Sequence, residues 1–502
     1  MEQLPGSDAL FLAVETDTVY AHIGGLTILD PSGAPGFSYA RLVEITEERL
    51  RQVPRFTKKL RRVPFDLDRP YLVDDPDFEV EKHIHRIAVP SPGGVHELAE
   101  VVGHLYARHL DRRKSLWQMW FIEGLAKGRV ALFLKTHHAI MDGAAGAGLA
   151  ELLFDTEPHP RPRPMAGKAP DARAPCEPGA LLLATRGLQS MMRTPFRLLR
   201  YGLQVARQLR VMLPYLREPE MPSVTGLPRV SFNAPLGPER AFAWTSVPLA
   251  TVKEVKNHFG VKVNDVLLAL TGSAVRRYLK ARGELPDEPL VAGVPVSTRS
   301  EEDASLGNQL TATSVSCATD LPDPAERLLQ IHKSATTAKE MEKAMRAQEL
   351  SALGDTAPPR LINLAFRALA GAGLSAPMNV AVSNVAGPSI PLYVAGARID
   401  HIYPMSLLLP KSGLNVTVFS YCGQVDFGFT VDPEQVPDPW SLAKGIPGAL
   451  TELAERVAGA RGAPSEAPPG PAPRRARRGR RARRSRKISR RAASRRGATK
   501  RP

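Results

Sequence analysis

The sequence predicts an α/β protein, because strand-like and helix-like segments alternate along both halves of the chain. The clearest strand covers residues 130–135, a continuous apolar run typical of a strand buried on both faces. The clearest helices cover residues 39–50 and 264–277, and the second is predicted to be capped by Asn264 or Asp265. A length of 502 residues allows two to three domains with a large core.

The positive charge is concentrated at the end of the chain. The formal net charge is +16, but residues 474–502 hold 16 of the 67 Lys and Arg and no acid, which leaves 51 basic against 51 acidic residues elsewhere. We expect a disordered tail over residues 461–502, because its Pro, Ala, Gly and Arg cannot form a core. Its arginines would bind a polyanion, either nucleic acid or an anionic membrane.

Other features limit the class of protein. The three cysteines are far apart and odd in number, so neither a disulfide framework nor a zinc site is indicated, and a reducing cytoplasmic compartment fits. The first residues lack the pattern of a signal peptide, and no uninterrupted apolar run is long enough to span a membrane.

In the first half, residues 51–62 are basic and predict either an entrance that attracts anionic phosphates or a solvated helix face. Residues 78–90 alternate like a half-buried strand, on which His83 and His85 are expected to be exposed structural residues. A helix is expected over residues 95–109. Residues 116–124 and 129–135 predict a hairpin.

The end of this hairpin carries the polar residues of most interest. His137 and His138 follow the strand, Asp142 and Gly143 come next, and residues 144–154 predict a helix. A buried strand that ends in polar groups is a common support for catalysis. Two histidines could also be half of a metal site, or one of them could be a hydrogen-bonded core residue. No further metal ligand follows at suitable spacing, so no metal is expected.

Residues 156–178 contain seven prolines and predict a linker or loop. Residues 179–217 contain seven arginines and no acid, with arginines recurring at intervals of seven along a predicted helix that Pro195 should kink. Such a helix would have one basic stripe and an opposite face rich in Leu, Val, Met and Phe. It could contact anionic lipid headgroups, or it could pack its apolar face against the body.

A second domain is predicted from about residue 230. Helices are expected over residues 252–259 and 323–348, in addition to the helix over 264–277. Strands are expected over the segments that share an apolar or alternating pattern, namely 290–297, 311–319, 379–384 and 413–428.

The motif His137-His138-Ala139-Ile140-Met141-Asp142-Gly143 resembles the HHxxxDG motif of the wax ester synthase/acyl-CoA:diacylglycerol acyltransferase family. Further similar segments extend the resemblance over roughly residues 4–455. They lie at residues 4–11, 22–26, 110–112, 116–117, 264–266, 295–299, 307–308 and 383–388. Ser115 departs from the family, which usually has Pro there, and we expect this to affect turn geometry only. The tail is a second departure.

The resemblance implies two chloramphenicol-acetyltransferase-like domains with a tunnel between them. We therefore divide the chain into an N-terminal acyltransferase domain (1–160), a Pro-rich linker with the basic helical segment (161–230), a C-terminal domain (231–460) and the tail (461–502). It also implies transfer of a long-chain acyl group from acyl-CoA to diacylglycerol, to a long-chain alcohol, or to both. The products would be triacylglycerol or wax ester.

The resemblance assigns the general base to His138 and a secondary role to His137. It gives Asp142 a structural ion pair, for which Arg299 is the candidate partner, and Gly143 allows the turn into the helix. Asn264 is a candidate amide donor or a helix cap, and Ser383 and Asn384 are candidate substrate or oxyanion residues. Because no GxSxG motif is present, we expect direct transfer without an acyl-enzyme, and no cofactor besides the substrate acyl-CoA.

Two other functions stay open from sequence. One is a condensation-type acyltransferase acting on carrier-bound acyl groups, although the chain shows no carrier domain. The other is a non-catalytic protein that tethers lipid droplets or nucleic acid. We expect a cytoplasmic protein at the inner membrane face or at lipid droplets.

Overall fold

The computed structural model describes residues 1–50, 52–141, 153–159, 179–215, 217–222, 226–297, 310–346 and 378–462. Most of the predicted linker and residues 463–502 of the predicted tail therefore lie outside the described residues. Residues 1–459 form one compact unit.

Within these ranges the chain forms fifteen strands and nine α-helices. The strands are β1 Glu2–Gln3, β2 His22–Asp30, β3 Lys58–Arg61, β4 Tyr71–Asp74, β5 Ile84–Ala88, β6 Trp117–Glu123, β7 Val130–His137, β8 Ala241–Pro248, β9 Val291–Ser297, β10 Leu310–Ser316, β11 Val380–Ala386, β12 Tyr393–Val394, β13 Ala397–Met405, β14 Leu414–Tyr421 and β15 Gln424–Val431. The helices are α1 Gly6–Val14, α2 Tyr39–Leu50, α3 Val95–Tyr106, α4 Ala180–Met192, α5 Thr194–Tyr215, α6 Leu249–Phe259, α7 Val263–Arg282, α8 Pro324–Arg346 and α9 Pro439–Gly462.

Two six-stranded mixed sheets organise the chain and confirm the α/β class. The first has the order β12-β13-β2-β7-β6-β5, and the second has the order β10-β9-β11-β14-β15-β8. A small third sheet has the order β1-β4-β3. The first sheet is antiparallel except where β5 pairs with β6. In the second sheet β11 is parallel to both β9 and β14.

The first sheet contains a strand from the second half of the chain. β13 pairs antiparallel with β2 along its length, so residues from both halves of the sequence share one sheet. β15 of the second sheet comes close to β13, since a Cβ added at Gly428 would lie 1.9 Å from the carbonyl oxygen of Pro404. The close approach of the two sheets therefore requires glycine at position 428.

Polar contacts also join the two sheets. Asp426 on β15 is fully buried and accepts a hydrogen bond from the backbone N–H of Ile402 on β13. Its carboxylate also accepts a bond from the hydroxyl of Ser246 and lies 3.0 Å from Nδ1 of His401. A buried carboxylate with several donors is compatible with a packed interface.

Most predicted elements are confirmed, with shifted ends. The predicted strand over residues 413–428 is two strands, β14 and β15, joined at Cys422 and Gly423. Both of these residues have positive φ, as a two-residue hairpin loop requires. The predicted single helix over 179–217 is divided into α4 and α5 just before Pro195. None of the described helices is long and apolar enough to cross a bilayer.

Candidate active site

β7 carries the two histidines to the end of a buried strand. Its side chains alternate between two cores, with Ala131 and Phe133 in one and Leu132 in the other. β7 pairs with β2 so that His137 lies opposite His22. Burial on both faces was predicted from the apolar run, and it gives the histidines a rigid support.

His138 follows directly and is held against α1. Its backbone N–H donates to the carbonyl of Ala21 over 2.8 Å, and the residue is only 5% exposed. The imidazole stacks on the ring of Phe11 with centroids 3.9 Å apart and planes 8° from parallel. A contact this flat fixes the plane of the imidazole.

The ring of His137 faces protein groups at both nitrogens. Nδ1 accepts a hydrogen bond from the backbone N–H of Ala139 over 3.0 Å. Nδ1 is therefore the unprotonated nitrogen, and Nε2 carries the proton. Nε2 lies 3.5 Å from a carboxylate oxygen of Glu15. Burial lowers the pKa of His137 despite this carboxylate, so the ring is neutral at physiological pH.

Glu15 connects these histidines to the rest of the site. It follows α1, and its nearly buried carboxylate accepts bonds from the Arg112 guanidinium and from the backbone N–H of Ala21. His109 Nδ1 lies 3.3 Å from the same carboxylate. Burial opposes ionisation of Glu15, but His137 and Arg112 outweigh it, so the pKa of Glu15 is well below its ordinary value.

Sequence reasoning did not single out Glu15. One signal was present, because Glu15 directly follows the apolar helix that begins with the family-like residues 4–11. The other was Arg112, which belongs to one of the quoted family-like segments. Only the fold brings the two together, across 97 positions of sequence.

Lys135 lies beneath the histidines and is fully buried. Its Nζ donates to the carbonyls of Leu105 and Arg108 at the end of α3, each over 2.8 Å, and lies over the ring of Trp120. Burial lowers the pKa of Lys135 to about 7. The strand thus carries a lysine that titrates near neutral pH.

The expectation that His83 is exposed was wrong. His83 is buried, and its ring stacks between Phe78 and Trp117. Nδ1 donates to the Trp117 carbonyl over 2.9 Å. The segment leaves the strand pattern before this residue, because residues Val80–Lys82 form a 3-10 turn. His85 is half-buried on β5.

Ser115 occupies the position where the family usually has proline. Its hydroxyl donates to the carbonyl of Lys58 over 2.7 Å, a bond that proline cannot make. The neighbouring Trp117 donates from its indole to the carbonyl of Phe56. The serine therefore joins this loop to β3.

Asn264 was predicted to be either an amide donor or the cap of α7, and it is not the cap. The cap is Lys262, whose backbone N–H is bound by the carboxylate of Asp265 over 2.9 Å. Asp265 also lies 2.6 Å from Nδ1 of His332 on α8. The amide of Asn384 on β11 instead donates to Oδ1 of Asn264 over 3.4 Å, which brings two of the candidate residues together. Ser383 directly precedes Asn384 on β11 and is half-buried.

A cavity of about 510 Å³ lies on the other side of α1. Ala9, Leu12 and Ala13 line it, whereas Phe11 projects from the opposite side of the helix toward His138. His138 is not among the lining residues. Arg112 belongs to both places, because it lines the cavity and its guanidinium binds Glu15 of the site.

The basic stretch at residues 51–62 is not a solvated helix. Its described part forms a 3-10 turn, Pro54–Thr57, followed by β3. Arg55 is buried and pairs with Glu2 and Asp8. Cationic side chains from this and two neighbouring segments do line the cavity, together with Asp66 and Asp68. They are Lys59, Arg61, Arg62, Arg69, Arg112 and Arg113.

Three predicted site residues, Asp142, Gly143 and Arg299, lie outside the described residues, so their predicted roles stay predictions. The tunnel expected between the two halves also stays a prediction. In the described part of the chain no group of three His, Cys, Asp or Glu side chains is arranged to hold a metal ion.

Two family models match the chain. The model of the wax ester synthase/diacylglycerol acyltransferase catalytic domain matches residues 4–267, and the model of the WS/DGAT C-terminal domain matches residues 306–454. Together they match most of the region over which the sequence motifs predicted the resemblance, with residues 268–305 left between them.

Relatives of known name agree. The chain is 37% identical over 461 residues to a putative diacylglycerol O-acyltransferase of Mycobacterium tuberculosis, covering 91% of this chain and 90% of that one. It is 33% identical to a probable diacylglycerol O-acyltransferase of the same species, covering 91% of this chain and all of the other.

Among solved structures, a wax ester synthase/diacylglycerol acyltransferase from Marinobacter aquaeolei matches with a TM-score of 0.66 at 26% identity. It covers 91% of this chain and all of that one. A condensation domain of the calcium-dependent antibiotic synthetase shares the fold, with a TM-score of 0.54 at 17% identity and coverage of 91% and 96%. The chain is an acyltransferase that belongs to the wax ester synthase/diacylglycerol acyltransferase family.

Proposed function

We propose that this protein transfers a long-chain fatty acyl group from acyl-CoA to the hydroxyl of diacylglycerol, of a long-chain alcohol, or of both. The family and the names of the relatives support this choice of substrates. No cofactor is needed, because the thioester itself activates the acyl group.

We assign the general base to His138, and one observation carries the assignment. Nδ1 of the neighbouring His137 is an acceptor for a backbone N–H and its protonated Nε2 faces Glu15, so its ring serves to position the strand end. We therefore give the proton transfer to His138, the other imidazole of the motif. A free imidazole titrates near pH ~6.5 and is a competent base in neutral solution.

In the proposed reaction His138 removes the proton of the acceptor hydroxyl as its oxygen attacks the thioester carbonyl. The new C–O bond forms, and the C–S bond of the thioester breaks. The departing CoA thiolate takes the proton from the imidazolium, so that His138 is neutral again at the end of the cycle. Exclusion of water by the buried surroundings would prevent hydrolysis of the thioester.

The oxyanion would be stabilised by amide donors. An amide whose oxygen accepts a hydrogen bond keeps both N–H groups for other acceptors, and this is the arrangement of Asn264 beside Asn384. Asp142 and Arg299 are proposed to pair and hold the loop after His138. A charge-swapped double variant that regains the stability lost in each single variant would support that pair, and absence of coupling would exclude it.

The cavity beside α1 is a candidate entrance for coenzyme A. Its apolar wall from α1 suits an acyl chain, and Arg61 in its lining suits a phosphate group. Arg62 and Arg113 also line it, but they lie beside the carboxylates of Asp66 and Asp111. Arg61 has no carboxylate partner among the described residues, so its charge is available to an anion. We further propose that the protein works in the cytoplasm as a peripheral protein of the inner membrane face or of lipid droplets.

The test is acyl transfer from radiolabelled acyl-CoA to diacylglycerol and to hexadecanol, with the neutral lipids resolved. His138→Ala should lose roughly 10²–10⁴-fold in rate with both acceptors, the usual contribution of a general base. His104→Ala is the control, because His104 is exposed on α3 and should keep the full rate. Full activity of folded His138→Ala would exclude His138 as the base.

A further inference from the structure

The helices α4 and α5 expose an unusual share of apolar surface. In the described part of the chain, ten of the fifteen exposed large hydrophobic side chains belong to these two helices. They include Leu181, which is 80% exposed, and Phe196, which is 73% exposed. The ten are Leu181, Leu182, Leu188, Met191, Met192, Phe196, Leu199, Leu203, Leu209 and Leu213. Patches of this kind mark interaction sites on soluble proteins.

The outward direction of these side chains is fixed by what packs behind them. Leu183 is 1% exposed in a core with Val63, Tyr71 and Val73. A Cβ at Gly187 would lie 2.7 Å from Leu67, so α4 contacts the 63–67 segment closely. At the other end, Met212 and Tyr215 of α5 pack against the core of the second half. Of the two sequence interpretations, packing against the body therefore holds for one side of the helices only.

The same surface is cationic. Residues 179–217 contain seven arginines and no acid. Arg193, Arg200, Arg207 and Arg210 are exposed, and none of them forms an ion pair with a described residue. Leu199 and Leu203 share the outward side of α5 with Arg200 and Arg207, which differs from the separate basic and apolar faces predicted from the sequence.

The exposed apolar side chains and the arginines of α4 and α5 together favour one kind of binding partner. A second copy of this chain, or its own Arg-rich tail, would place arginine against arginine without acids between them, which is repulsive. A nucleic acid would satisfy the charge but would leave the ten apolar side chains in water. An anionic phospholipid surface satisfies both, because apolar side chains enter the acyl boundary while arginines remain at the headgroups.

We propose that the outward side of α4 and α5 binds an anionic phospholipid membrane and lies in its headgroup region. Phe65 adds to this surface, since it is 83% exposed at the tip of the 64–66 turn next to α4. Val63 contacts α4 on one side and lines the cavity beside α1 on the other. Docking thus places the cavity near the lipid. Any benefit of this position to catalysis rests on the proposed function, but the membrane docking itself does not rest on it.

The test uses the full chain with vesicles of phosphatidylcholine and phosphatidylglycerol whose acyl chains are brominated. Bromine quenches tryptophan only at acyl-chain depth, so tethering by the tail alone gives no signal. The fluorescence added by Phe196→Trp should be quenched by these vesicles and not by phosphatidylcholine alone. Leu329→Trp is the matched control, because Leu329 is exposed on α8, and its signal should be unchanged.

A second variant tests the apolar contribution. Leu188→Ser/Met192→Ser/Leu199→Ser should reduce vesicle affinity on the order of tenfold or more, because it removes three exposed apolar side chains. It should keep acyl transfer to a detergent-dispersed alcohol, which separates failure of docking from failure of the proposed function. Vesicle binding without quenching of Phe196→Trp would overturn the proposal in favour of the tail. A dimer in sedimentation that this triple variant abolishes would overturn it in favour of a second copy.

Discussion

Glu15 is the residue on which the position of His137 in the site depends most directly, through its carboxylate. It contacts Arg112 and His109, both brought by the chain after α3, and His137 at the end of β7. A residue of this kind is a positioning residue, since its contacts are with other side chains and not with the reacting atoms.

Glu15→Gln should destabilise the protein by about 2 kcal/mol, because Arg112 would lose its charged partner in a partly buried site. It should lower kcat more than it raises KM. Thermal unfolding and acyl transfer kinetics measure these effects. Glu44→Gln is the control, since Glu44 forms an exposed pair with Arg41 and should shift stability by less than about 0.5 kcal/mol.

The same variant has a defined pH dependence. The pKa of Glu15 is lower in the folded protein than its ordinary value of 4.5, so the stabilisation is complete above that value and is lost as the pH falls through the folded pKa. The difference between wild type and Glu15→Gln should therefore be constant near neutrality and shrink in acid. A difference that grows in acid would contradict the ion pair.

Lys135 should make stability depend on pH through a lowered pKa of a basic group. Its folded pKa of about 7 lies below its ordinary value of 10.5, so between these values the unfolded chain binds more protons. Stability should therefore rise with pH across this window through Lys135. Lys135→Met should remove that part of the slope, as denaturant unfolding from pH 7 to 10 would show, whereas Lys82→Met on the exposed surface should leave it. An unchanged slope would mean that Lys135 is solvated.

At the scale of elements, the contact of β13 with β15 determines how closely the two large sheets pack. Pro404 on β13 has Gly25 of β2 as its partner within the sheet and Gly428 of β15 across the interface. Both glycines lie in strands, but they differ in the space around them, and this difference supplies a matched pair of variants.

Gly428→Ala should destabilise the protein by roughly 2–4 kcal/mol, because the new methyl group would lie 1.9 Å from a backbone carbonyl and the sheets would have to separate. Gly25→Ala should change stability by less than about 1 kcal/mol, since no atom lies within 4 Å of its added Cβ. Denaturant unfolding of both variants measures this. Equal effects would contradict the role given to the interface.

Helices and strands could be predicted where the spacing of apolar residues and the position of turn residues indicated the same element. The β6–β7 hairpin and α2 follow directly from apolar runs and helical spacing, and they are confirmed. β13 could not be predicted, because its partner β2 lies more than 360 positions earlier and pairing over such distances leaves no local pattern. His83 was misjudged for a similar reason, since alternation within a strand does not show which ring from elsewhere will cover it.

The site divides in the same way. A motif of adjacent residues indicated His137 and His138, whereas Glu15 was missed because its partners are distant in sequence. Asn264 was also misassigned in part, since Asp265 next to it competes for the capping role and prevails. Residues of a contiguous motif can therefore be predicted from sequence, whereas partners that are distant in sequence become visible only in the fold.

At the scale of the molecule, the chain combines an electrically neutral body with a strongly basic end. The body holds equal numbers of basic and acidic residues, and the last 29 residues hold 16 Lys and Arg. Electrostatic binding to polyanions should therefore come mainly from this end, with the arginines of α5 adding a smaller local contribution.

Deletion of residues 463–502 should leave acyl transfer to a detergent-dispersed alcohol unchanged and abolish most of the affinity for DNA. Binding by the full chain should weaken steeply with added salt, as expected when many counterions are released. Fluorescence anisotropy with labelled duplex DNA at several salt concentrations measures both effects. Retention of the salt dependence after deletion would assign polyanion binding to the body instead.

The pairing of β13 with β2 has a consequence for biosynthesis. β2 emerges from the ribosome early, but the strand that covers its edge follows only at residues 397–405. During most of translation the nascent chain therefore displays an open edge of backbone donors and acceptors, which other nascent chains could join. We expect prematurely terminated products that lack residues 397–405 to aggregate more readily than the full chain.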